Sequence, residues 1–150
     1  MAVAISGIVV VSTSITPSMV FGNNEFAANL TGQQEVPPID TLALGEAIFV
    51  PNQPTNETID FYVNATGIQA VTQAHIQSGS PDENGRIVVT LFTLNPVQNR
   101  VSINGSIAAN NLKGPMQGKT VAELIDAIKN NTTYVNVHTE LNPDSEIRGN

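Results

Sequence analysis

The chain has only two histidines, His75 in "QAHIQSG" and His138 in "TYVNVHTE". Both sit in short runs with β-branched residues, so extended backbone is expected around each. Alternate side chains of a strand share a face. That count groups Gln73, His75 and Gln77 opposite Thr72, Ala74 and Ile76, and groups Tyr134, Asn136 and His138 opposite Val135, Val137 and Thr139. Each histidine therefore belongs to the more polar face of its strand. If the two strands are neighbours or face each other, the imidazoles converge. Two neutral ring nitrogens supplemented by oxygen ligands suit Cu(II) or Zn(II). The competing reading is that each histidine is a hydrogen-bonded structural residue of an ordinary strand.

Other chemistries have less to work with. Cysteine is absent, which removes thiolate as ligand or nucleophile and removes the usual staple of small exported domains. "SPDENG" carries Asp82 and Glu83, too few carboxylates for a calcium loop and better read as a solvated turn. No serine stands in a nucleophile-elbow context, and neither histidine has a recognisable orienting partner. No catalytic residue is assigned, and whether the protein is an enzyme stays open at this stage.

The elements that must position the histidines follow from composition. With 150 residues, 41% hydrophobic and 13% charged, the chain suffices for one domain with its own core. Aromatics are 5% and tryptophan is absent, so the core rests on Val, Ile, Leu and Ala. A net charge of -7 and the lack of any Lys/Arg cluster exclude a phosphate-tracking surface, and nucleic acid with it. Strands are expected in "EFAANLTG", "LGEAIFVP", "ETIDFYVNA", "VTQAHIQ", "GRIVVTLF", "RVSINGSIAA", "TYVNVHT" and "SEIRG", with turns in "PNQPTN", "SPDENG" and "LNPDS". One segment breaks the pattern: "GKTVAELIDAIKNN" has Thr120 and Glu123 in capping-box spacing and Leu124, Ile125 and Ile128 on one helical face. The fold class is all-β, an antiparallel β-sandwich or barrel-like sandwich with one short helix.

The first 24 residues carry no charged side chain and include the apolar run "AVAISGIVVV". Residues 1–22 read as a cleaved signal peptide or, since no Lys or Arg precedes the run, as an N-terminal anchor, leaving a domain over 23–150. An extracytoplasmic, secreted or cell-surface location is the expectation. Glycosylation sequons at Asn29, Asn56, Asn64, Asn104, Asn130 and Asn131 fit a glycoprotein, although a chain rich in Asn, Ser and Thr produces such matches by chance.

The segments "FAANLTGQQEVPPIDTLALGEAIF", "AHIQSGSPDENGRIVVTLF" and "GKTVAELIDAIKNNTTYVNVHTELNPDSEIRGN" together resemble the CHRD domain, named after chordin and widespread in secreted microbial proteins. The motifs "EVPP", "AHI", "YVNVHT" and "EIRG" stand in the family's order. The resemblance implies an extracytoplasmic β-sandwich and, in some microbial members, a copper site built from histidines of "HIH" and "VHT". Carried over, it nominates His75 and His138. Where the family often has a second histidine, this chain has Gln77, whose amide oxygen is a weak donor. Glu35 of "EVPP" and Arg148 of "EIRG" are expected to pair and clasp the two termini. Two functions are carried forward. One is an exported copper-binding, or zinc-binding, domain in copper handling or a redox step at the cell surface, with His75, His138 and Gln77 as metal ligands. The other is a metal-free module that binds a surface protein or matrix polymer. A symmetric homo-oligomer could complete a two-imidazole site with the partner's side chains.

Overall fold

The computed structural model describes residues 24–150, so the expected export segment over 1–22 lies outside the described residues. Eight strands form one antiparallel sheet: β1 (Phe26–Thr31), β2 (Leu44–Pro51), β3 (Thr58–Thr66), β4 (Val71–Ser78), β5 (Ile87–Gln98), β6 (Val101–Ala108), β7 (Thr133–Thr139) and β8 (Ile147–Gly149). Their order across the sheet is β5-β4-β7-β8-β1-β2-β3-β6. The two outermost strands are consecutive in the chain and separated only by Asn99 and Arg100. That short connection draws the two ends of the sheet together, and the sheet curls into a nearly closed barrel. The expected all-β, barrel-like sandwich is therefore found, as are all eight strands.

Alternation builds the interior. In β3, Ile59, Phe61, Val63 and Ala65 point inward while Tyr62, Asn64 and Thr66 are exposed. Phe61 lies opposite Phe49 on one side and Gly105 on the other. A Cβ on Gly105 would sit 2.7 Å from the Phe61 ring, so only glycine lets the ring lie flat against β6. The helix α1 (Val121–Lys129) starts at Thr120, whose hydroxyl accepts from the Glu123 amide while the Glu123 carboxylate accepts from the Thr120 amide, as the capping-box spacing predicts. It buries Val121, Leu124 and Ile125 in the same core, each such side chain contributing about 1.5–3 kcal/mol.

Two local departures matter. Strand β5 runs six residues beyond the expected "GRIVVTLF", through Asn95 and Pro96 to Gln98. Proline reads as a stop, yet β5 is an outermost strand, where a missing backbone donor costs little. In β4 a bulge between Val71 and Gln73 resets the alternation, so Val71 joins Ala74 and Ile76 in the core and Thr72 is left half-buried.

Strand β7 is buried along its whole length, on both faces. Val135 and Val137 belong to the barrel core. Tyr134, Asn136 and His138 lie on the opposite face, which is covered by the connections β1–β2, β4–β5 and β7–β8.

Candidate functional site

Strands β4 and β7 are hydrogen-bonded neighbours, with Gln73 opposite His138, His75 opposite Asn136 and Gln77 opposite Tyr134. The parity inferred for both strands thus puts His75 and His138 on one face, diagonal to each other. Cross-strand diagonals are within reach of long or aromatic side chains. His75 Nδ1 and His138 Nε2 stand 3.0 Å apart, with ring centroids 4.7 Å apart and planes at 76°.

The tautomers follow from the partners. His138 Nδ1 lies 2.7 Å from the carbonyl oxygen of Pro143, which can only accept, so Nδ1 carries the proton and the Nε2 lone pair faces His75. His75 Nδ1 then donates to it. Burial, with smaller contributions from His138 and Lys113, pushes the His75 imidazole down from 6.5 to about 4. Burial also lowers His138, against the Pro143 hydrogen bond and the charge of Asp144, which favour its protonated form. Both rings are neutral at neutral pH, the form that binds metal.

A cleft of about 860 Å³ opens over this face, walled by Glu35, Val36 and Pro37 from the β1–β2 connection, by Asn84 to Ile87, by Pro143 to Ser145, and by Gln77, Tyr134, Asn136 and His138 from the strands. Gln77 lines it, as its parity predicts, and its amide oxygen accepts the Tyr134 hydroxyl at 2.6 Å. Among the described residues no third His, Cys, Asp or Glu joins the histidine pair.

Arg148, fully buried, lies opposite Asn136 on β8 and holds its guanidinium 3.5 Å from the centre of the Tyr134 ring. It donates to the Asn84 side chain at 3.2 Å and to the Ser80 carbonyl at 2.8 Å. The expected clasp with Glu35 is not formed: among the described residues no ion pair joins the two, and Glu35 instead accepts the Ser145 hydroxyl. Burial raises the Glu35 pKa, opposed by that hydrogen bond and by the charge of Arg148. The Arg148 guanidinium is instead engaged by Tyr134, Asn84 and Ser80. Arg148 ties the β4–β5 connection to the last strand.

Sequence pattern puts Asn136 on the histidine face but gives it no role. The structure makes it the lateral neighbour of both His75 and Arg148. The signal was its place two residues before His138. Nothing in the sequence pattern singles out Pro143, which orients His138, or Lys113, whose ammonium reaches the hydroxyl of Thr90 beside His75.

The CHRD domain model matches residues 26–150, the whole of the barrel. The chain belongs to the CHRD domain family. No curated protein and no solved structure matches it. The CHRD match spans every strand that builds the histidine face, from β1 to β8. The "AHI" and "YVNVHT" motifs of this CHRD domain are the two paired strands β4 and β7, and "EIRG" supplies the Arg148 floor beneath Tyr134. "EVPP" supplies the Glu35 wall of the cleft.

Proposed function

We propose that this CHRD domain is an exported metal-binding protein that holds copper, or zinc, through His75 and His138, in copper handling or a redox step at the cell surface. The observation that carries the reading is the meeting of two neutral imidazoles, nitrogen to nitrogen at 3.0 Å, beside an open cleft. For both facing nitrogens to hold an ion, His75 would have to carry its proton on Nε2 instead of Nδ1, after which each ring would present a lone pair to the same point. The carbonyl of Pro143 orients His138 in the way that backbone acceptors orient metal-ligating histidines. Gln77 stands on the same wall with an amide oxygen that already accepts the Tyr134 hydroxyl on one of its two lone pairs. Export is supported by the occurrence of CHRD domains in secreted extracellular proteins and by the uncharged, apolar start of the chain. Exposed sequons at Asn29, Asn64, Asn104, Asn130 and Asn131 are compatible with glycosylation there.

A second reading, a metal-free module for a surface protein or matrix partner, is favoured by one specific observation. The His75–His138 hydrogen bond satisfies both facing nitrogens without any ion. A second copy of the chain could also contribute ligands across a symmetric interface. Titration of the chelator-stripped full chain with Cu(II) and with Zn(II), followed by calorimetry, separates the readings. Metal binding predicts one ion per chain at micromolar concentration or below, lost in both His75→Ala and His138→Ala, with the double variant adding little. Absence of binding to either ion would leave the interaction module.

A further inference from the structure

Asn136 is 3% exposed, yet its side-chain oxygen is buried with no hydrogen-bond partner. Leaving such a group unsatisfied costs about 1–3 kcal/mol, so its persistence calls for a ligand or a neighbour. Its position narrows the choice. Asn136 is the direct cross-strand partner of His75, a relation that holds Cβ atoms about 4.5–5.5 Å apart, and it shares the strand face of His138 two residues on. It also lines the cleft beside His138. Of the other amides on this face, Gln73 stands opposite His138, and the Gln77 oxygen is already engaged by the Tyr134 hydroxyl.

We infer that Asn136 supplies the third protein donor of the site, its amide oxygen completing a His75–His138–Asn136 set on one face of the ion and leaving the cleft side for water or an incoming ligand. The inference rests on the proposed metal reading and adds a ligand to it. The chemistry of this set is two borderline nitrogens and one hard, neutral oxygen, which accepts Cu(II) and Zn(II) and gives Cu(I) no soft donor. The one rival claim on the oxygen comes from the other side. Arg148 Nε is also buried without a partner, and Arg148 is the next residue along the same lateral row. In the structure the two are not hydrogen-bonded to each other.

Two substitutions in the chelator-stripped full chain decide the matter, with Cu(II) and Zn(II) as probes. Asn136→Leu removes the oxygen at similar volume and should weaken binding about tenfold, while the metal-free melting temperature stays level or rises. Asn136→Asp presents an anionic oxygen and should tighten binding about tenfold or more. Both should shift the Cu(II) electron paramagnetic resonance parameters. If Asn136→Leu does not fold, Asn136→Asp alone carries the decision. Wild-type affinity and spectrum in the variants, with the wild type binding metal, would overturn the role of Asn136 and leave the histidine site standing. A rise in metal-free melting temperature for Asn136→Asp without any change in affinity would assign the oxygen to Arg148 and overturn it too. No binding by the wild type would overturn both the site and this addition.

Discussion

The low basicity of His75 predicts a specific acid sensitivity of the metal-free protein. Its imidazole titrates near 6.5 when the chain is unfolded and near 4 when folded. Between those values the unfolded chain binds the extra proton and the native state does not, so stability is fully present above 6.5 and is lost as pH falls toward 4. At pH 4.5 the full effect amounts to about 2.5 kcal/mol, and solvent in the cleft screens it to roughly 1.5–2 kcal/mol. Glu35 works in the opposite sense, since its raised carboxyl pKa makes the fold gain stability as pH falls through the carboxylate range. The measurement must therefore be a difference. With tryptophan absent, urea unfolding is followed by circular dichroism at pH 7.5 and 4.5, with chelator present, for wild type and His75→Gln. Wild type should lose about 1.5–2 kcal/mol more than the variant between the two conditions. Equal losses would refute the claim that a buried, neutral His75 is held against protonation.

Three further outcomes follow from the same geometry. Gln77→His places a third imidazole on the cleft wall and should tighten Cu(II) more than Zn(II); loss of the Tyr134 hydrogen bond should cost the metal-free fold only about 1 kcal/mol, read by thermal denaturation. Arg148→Ala strands Asn84 and the Ser80 carbonyl and empties the space over Tyr134, so a loss of about 3 kcal/mol is expected, with Glu35→Gln costing clearly less; comparable losses would restore the clasp between them. Metal affinity should fall as the imidazoles protonate, and because both rings are held below their ordinary basicity the decline should set in at lower pH than for a free imidazole. A pH-independent affinity would exclude histidine ligation.

Period-two patterning made most of the strands legible, because one face of each is buried in the barrel and the other is more exposed, although β7 and β8 are buried on both faces. It also grouped His75 with Gln77 and His138 with Asn136. Pairing was another matter: β4 and β7 meet across the segment 79–132, and no local pattern states which strands become neighbours. The resemblance to CHRD domains nominated the two histidines together, and the register then explains how they meet. The extension of β5 through Pro96 was hidden because its tolerance depends on being outermost, a property of the whole sheet. The Glu35–Arg148 clasp failed for a related reason. Opposite charges in motifs at the two ends of the domain suggest a pair, but Glu35 accepts the Ser145 hydroxyl and Arg148 finds Tyr134, Asn84 and Ser80 instead. Asn136 lies inside "YVNVHT" but carries no charge, and only its missing hydrogen bond draws attention to it.

The central claim, one ion shared by two imidazoles, is tested most directly by electron paramagnetic resonance of the full chain loaded with one equivalent of Cu(II). The account predicts nitrogen superhyperfine structure from two equivalent-strength imidazoles, reduced to one nitrogen in either His75→Ala or His138→Ala when copper is retained at high concentration. A spectrum without nitrogen coupling, or one unchanged by both substitutions, would contradict it.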